Sequence, residues 1–155
     1  MDSSVQPPRR KHARVTLRND FILVETISYS GYLGVSNGPV RWLAASVSNL
    51  ELGRAVYEAM NSSRGLPLDF EPHSQEFESK VFSDTPFKGW SNFQRAAHCI
   101  SVTEEQGQIA YTPTHNQTSK RKGLLYLPEK AIRKAITSDW EEIGRLVRDA
   151  LALCE

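Results

Sequence analysis

Cysteine is scarce in this 155-residue chain, with only Cys99 and Cys154 present. Two such distant residues make neither a disulfide framework nor the clustered ligands of a zinc site, so both are expected as reduced, largely buried thiols. Long apolar runs are also missing. Nothing approaches the ~20 residues that cross a bilayer, and the basic start MDSSVQPPRRKHARV is not followed by the apolar segment of a secretory signal, so a cytoplasmic protein is expected. There is no glycine-rich phosphate loop, and the four histidines lack metal-ligand spacing, so neither cofactor nor metal is expected. A charge excess of one sign is absent as well, the formal net charge being +1.

That small sum hides a segregation. Residues 1–20 carry a net +3, residues 21–86 a net −4 and residues 87–155 a net +2. Within the acidic middle, Asp69, Glu71, Glu76, Glu78 and Asp84 are offset by Lys80 alone. This segment is the best candidate for a surface that attracts a basic partner, the alternative being a solvated loop and helix face.

The length fits one domain. Residues 1–14 are expected as a mobile basic tail and 15–155 as a single α+β domain. The clearest pattern lies between Phe87 and Asn116. His98, Ile100 and Val102 alternate with Cys99, Ser101 and Thr103, then Ile109 and Tyr111 alternate with Ala110 and Thr112, which predicts a β-hairpin joined through Glu104–Gln108 and ended by Pro113. Trp90 and Phe93, just before it, are expected to be core. Phe21–Tyr29 predicts a strand with apolar residues on both faces, hence one near the middle of a sheet covered on two sides. Ser30–Pro39, with three glycines and a proline, predicts a loop, and Val40–Leu43 a short strand.

Two helices carry readable starts. Ser48 with Glu51 and Ser138 with Glu141 spell capping boxes, followed by the stripes Leu52, Ala55, Val56, Ala59, Met60 and Ile143, Leu146, Val147, Ala150, Leu151. ELGRAVYEAM from Glu51 aligns with EIGRLVRDAL from Glu142, superposing Gly53 on Gly144. Each is preceded by a candidate strand, VRWL or GLLYL, so the chain contains a duplicated strand-helix unit, and the expected fold is a mainly antiparallel sheet packed by two amphipathic helices. The paired glycines predict close approach of helix to sheet. A weaker pattern over His73–Phe82 suggests a third helix.

No catalytic motif stands out. Cys99 with His98, His115 and Asn116 supplies the residue types of a thiol hydrolase, but neighbours on a strand point to opposite faces, so His98 cannot serve Cys99. Basic runs at Arg9–Arg18 and Lys120–Lys122 raise nucleic-acid binding, yet the pI near 7.8 and their place in a tail and a loop argue against direct binding.

The succession FILVETISYSG, LELGRAVYEAMNSSR, WSNFQRAAHCISV, QIAYTPTHN and EEIGRLVRDAL resembles the CdiI immunity proteins of bacterial contact-dependent growth inhibition systems, over about Phe21 to Cys154. The resemblance implies a small cytoplasmic α+β protein that binds, one to one, the C-terminal toxin domain of a cognate CdiA effector, commonly a nuclease acting on tRNA or DNA. It implies no enzymatic activity, small-molecule substrate, cofactor or membrane association. The expected toxin contacts are Asp69, Glu71, Glu76, Glu78 and Asp84, with Tyr29 and Tyr32 as aromatic anchors; near-neutral total charge leaves room for binding beside the toxin's active site or by strand addition. The alternative is a non-enzymatic adaptor or nucleic-acid-associated regulator that uses the basic tail.

Overall fold

The computed structural model describes residues 10–71, 75–117 and 123–155. Its strands are β1 (Lys11–Arg18), β2 (Phe21–Ser30), β3 (Leu33–Ala44), β4 (His98–Glu105), β5 (Gln108–Asn116), β6 (Leu124–Tyr126) and β7 (Ile132–Ala135). Its helices are α1 (Asn49–Asn61), α2 (Gln75–Phe82), α3 (Trp90–Gln94) and α4 (Trp140–Ala152). The named strands form one antiparallel sheet in the order β3-β2-β1-β4-β5, and β5 divides its outer edge between β7 and β6. This is the expected α+β arrangement, with β1 and β4 at its middle and β2, expected near the middle, beside β1. Lys11–Arg14, expected in the tail, belong to β1, and His12–Arg14 pair on both sides; Met1–Arg9 lie outside the described residues.

Strand alternation sorts the side chains between two faces. Ala13 and Val15, Ile22 and Val24, Ile100 and Val102, and Ile109 and Tyr111 share one face with the buried stripes of α1 and α4. Burying each residue of Leu or Ile size there contributes roughly 1.5–3 kcal/mol. The two helices follow the opposite edge strands, β3 and β7, and meet over the middle. The strand preceding α4 is therefore β7, not GLLYL, part of which forms β6. The paired glycines bring helix to helix rather than helix to sheet: a Cβ on Gly53 would stand 1.7 Å from the Trp140 carbonyl oxygen, and one on Gly144 1.9 Å from that of Asn49.

Ser48 caps α1 as expected, its Oγ accepting from Glu51 N–H at 3.1 Å. In α4 the cap is Asp139, whose Oδ1 accepts from Glu142 N–H at 3.3 Å, rather than Ser138. Asp139-x-x-Glu142 is itself a cap sequence, aspartate caps as well as serine, and the internal alignment of Glu51 with Glu142 already pairs Ser48 with Asp139.

Three expectations about strands need correction. The expected loop Ser30–Pro39 is mostly strand: Ser30 pairs with Leu33 across a two-residue turn, with Gly31 at φ +59° supplying the conformation a tight hairpin demands. The β4–β5 connection is likewise tighter than expected, only Gln106 and Gly107, both at positive φ. Pro113 does not end β5. Its carbonyl accepts from Leu127 N–H on the outer side, so its missing N–H falls on that same side, between the stretches paired with β7 and β6.

Over the first half of β2 and the second half of β3 the second face is covered by an aromatic lobe. Val81, Phe82, Phe87 and Phe93 enclose Leu23, with Trp42 donating Nε1–H to the Val81 carbonyl at 2.8 Å. Phe93 is fully buried and Trp90 packs against the cluster, as expected of core. α2 begins at Gln75; His73 and Ser74 of the expected third helix lie outside the described residues.

Candidate functional site

The second half of that face is not covered by a helix. There β1, β2, β4 and β5 floor a cavity of about 490 Å³ between the β2–β3 hairpin and the β6–β7 region. The strand positions that would be apolar under a helix are polar here: His12, Arg14, Ser101, Thr103 and Thr112 line it.

At its base Arg14 donates twice to Glu25, Nε to Oε1 at 3.1 Å and Nη2 to Oε2 at 2.8 Å. Glu25 is 1% exposed, so the pair is a desolvated, bidentate one whose separation would strand a charge. Beside it His12 bridges two hydroxyls, Nδ1 to Tyr29 OH at 2.7 Å and Nε2 to Ser101 Oγ at 2.9 Å. Burial and the neighbouring Arg10 and Arg14 push the imidazole down to about 3, so it is neutral near pH 7. Arg10 Nε donates to Tyr29 OH at 3.2 Å, which favours the tautomer in which the tyrosine donates to Nδ1 and Nε2–H donates to Ser101.

That tautomer decides the chemistry. Ser101, His12 and Tyr29 stand in the order of a nucleophile, a base and an orienting group, but in the favoured tautomer the imidazole nitrogen facing the serine carries the proton and is not a base toward it. Cys99 is no better placed. It is fully buried, burial pushes its thiol up to about 11, and its neighbour is Thr16 Oγ1 at 3.5 Å, while His98 lies exposed on the other face. Asn116 is occupied in donating to the Gln94 and Ala97 carbonyls. Among the described residues no group of three or more His, Cys, Asp or Glu is placed to hold a metal ion, and no helix is long and apolar enough to cross a membrane.

The expected contact residues do not form one surface. Tyr29, expected as an aromatic anchor, is buried in β2 and supports the cavity floor. Tyr32, at the hairpin tip, is 85% exposed on the cavity rim, with Leu33 and Leu68 also exposed nearby. Asp69 follows Leu66–Pro67, a segment tied to the hairpin by Leu66 N–H to Tyr29 O at 2.8 Å and Ser30 Oγ to Pro67 O at 2.6 Å. Glu76 and Glu78 sit in the first turn of α2, where acidic side chains favour the helix, and Asp84 follows that helix. Their lobe lies over Leu23, six residues along β2 from Tyr29, about 20 Å at ~3.3 Å per residue. Glu78 is also committed to the fold, its Oε1 accepting from Trp90 N–H at 2.8 Å.

The polar floor was missed at the level of sequence. Ser101 and Thr103 read as the solvent side of a hairpin, and only Glu25, isolated in an apolar strand, signalled that something charged must meet it. The basic N-terminal run is largely consumed: Arg14 pairs with Glu25, and Arg18 lies over the Phe87 ring at 5.9 Å. Lys120–Lys122 lie outside the described residues.

A family model described as CDI immunity protein, CdiI, matches residues 11–154. The chain belongs to the CdiI family. No curated protein sequence matches it. Among solved structures, a protein of unknown function from Neisseria meningitidis superposes with a TM-score of 0.77 at 17% identity, covering 97% of this chain and 98% of the other. A chain of the CdiA-CT/CdiI toxin and immunity complex from Yersinia pseudotuberculosis superposes with a TM-score of 0.76 at 21% identity, covering 97% and 100%. At these identities the likenesses establish a shared CdiI fold, while the family match supports the immunity role.

Proposed function

We propose that this CdiI protein acts in the cytoplasm by binding, one to one, the C-terminal toxin domain of a cognate CdiA effector, and that it neutralises the toxin by occupancy rather than catalysis. The family match over nearly the whole chain carries this reading. The toxin is proposed to be a nuclease, the commonest class that the family resemblance implies.

For the contact surface the cavity and the Tyr32 rim are favoured. The cavity is preformed and its floor is fixed by hydrogen bonds, so a partner entering it meets little ordering cost, and an exposed tyrosine at the rim is a good anchor. A second surface stays in play because Asp69, Glu71, Glu76 and Asp84 are exposed and make no ion pair among the described residues.

The test is co-purification of the full chain with the C-terminal domain of the CdiA effector encoded beside it, with growth and nuclease assays of the toxin alone and in complex. A stoichiometric complex that abolishes toxicity is expected. Undiminished toxicity without a complex would overturn the proposal. Given a complex, Tyr32→Ala is expected to weaken binding more than Glu76→Lys, and the reverse order would move the contact to the acidic lobe.

A further inference from the structure

The cavity's hydrogen-bonding capacity is unbalanced. Arg14 spends Nε and Nη2 on Glu25, and its Nη1 makes no hydrogen bond among the described residues. In the tautomer favoured by Arg10, Ser101 accepts from His12, which frees its own hydroxyl proton for the space it lines. Next to the main cavity lies a smaller one of about 220 Å³, sharing Arg14 and bounded by Ser36, Trp90 and Gln94. Ser36 is buried at its edge, and its hydroxyl has no hydrogen-bond partner among the described residues. Arg14 lines both cavities, Ser101 the larger and Ser36 the smaller, and each can donate. At the rim Arg133 is exposed with no ion-pair partner among the described residues, whereas Arg10 is engaged by Glu105 at 3.7 Å, the one rim carboxylate.

Resting on the proposed immunity role, we infer that the trough over Arg14 is built for a carboxylate, an aspartate or glutamate side chain presented by the bound toxin domain, with Arg133 as the gate charge. A surplus of donors over acceptors is costly to bury against an apolar or cationic group and is relieved by an oxygen-rich anion. Arg14 is held flat by Glu25, so its outer edge is presented without loss of side-chain freedom. The buried Arg14–Glu25 pair is net neutral by itself, and it is Arg133 that tips the site positive. The polarity is opposite to that of the acidic lobe, so the two surfaces make opposed predictions.

The test compares Arg133→Glu with Lys134→Glu in the full chain, measuring affinity for the same CdiA C-terminal domain by calorimetry. Both change net charge equally and both residues are exposed, but only Arg133 lines the cavity. Arg133→Glu is expected to weaken binding at least tenfold and Lys134→Glu less than threefold. Ser36→Ala is expected to weaken it about fivefold with an unchanged urea midpoint, a split that a structural role would not give. Alanine replacement of the matching toxin carboxylate should be non-additive with Arg133→Glu. Equal effects of Arg133→Glu and Lys134→Glu, with the wild type bound, would overturn the carboxylate site and leave the immunity role standing. Absence of any wild-type complex would overturn the immunity role and the site together.

Discussion

Gly144→Ala offers a direct test of the helix pairing. Alanine in a helix interior normally gains about 1 kcal/mol over glycine, so propensity alone predicts stabilisation. The structure predicts the opposite, because the new Cβ would lie 1.9 Å from the Asn49 carbonyl oxygen, a backbone atom that no rotamer change can withdraw. Reaching an ordinary carbon–oxygen contact needs the helices to part by more than about 1 Å, which loosens the packing of Leu52, Val56, Ile143 and Val147 under them. Overpacking costs typically about 1–3 kcal/mol and occasionally more, and a clash against fixed backbone belongs at the upper end, so the net loss expected after the propensity gain is about 2 kcal/mol. With an m-value of roughly 1–3 kcal/mol per M in urea, the unfolding midpoint should fall by about 1 M. Gly53→Ala meets the mirror-image clash with Trp140 and should cost as much. One separation relieves both contacts, so the double variant should lose much less than the sum. A midpoint that holds or rises in either single variant would refute the argument that the glycines exist for this contact.

His12 and the helix caps give two further checks. The imidazole is held at about 3 in the fold against 6.5 when free, so the unfolded chain takes up the proton first as pH falls. Its contribution to stability is therefore full above about pH 6.5 and is lost as pH drops from there toward 3, at up to about 1.4 kcal/mol per pH unit. Urea midpoints of wild type and His12→Gln between pH 7 and 5 should converge as pH is lowered, and parallel curves would count against a neutral buried imidazole. At the start of α4, Asp139→Ala should cost about 1 kcal/mol and Ser138→Ala close to nothing, as for a cap lost and a cap never used. Reversal of that order in thermal unfolding would restore Ser138 as the cap.

What sequence made legible followed from short-range regularity. The stripes from Leu52 to Met60 and from Ile143 to Leu151, the Ser48 cap and the alternation through Ile100 and Val102 each repeat at a fixed period, and the sheet buries them as written. The pairing of Gly53 with Gly144 was visible, but not what they touch, since contact between residues so far apart depends on how the ends of the sheet are wound. Glycine misled in the other direction: Gly31 and its neighbours suggested an open loop, whereas Gly31 makes the tight turn that lets β3 run to full length. The cavity floor was least legible, because serine and threonine at alternating strand positions are also what a solvent-facing strand displays. Only the absence of a covering helix over half of one face separates the two.

That unevenness of cover explains how so small a protein can hold a charged floor. A desolvated ion pair and a neutral histidine network contribute little net stability, and a sheet covered on one face alone would leave them wet and unfixed. Here the α1–α4 face supplies the apolar burial, and the aromatic lobe of α2 and α3 covers β2 and β3 only as far as Trp90. The polar residues begin where the lobe ends. Arg14 stands on that boundary, lining both cavities, paired below by Glu25 and open above. Variation of the floor and rim is therefore separable from the core that folds the chain: replacing Arg133, Ser36 or Tyr32 alters what can enter while leaving every helix–sheet contact intact. A family that must match many different toxins on one fold needs that separation, and in this chain it is drawn between the two faces of a single sheet.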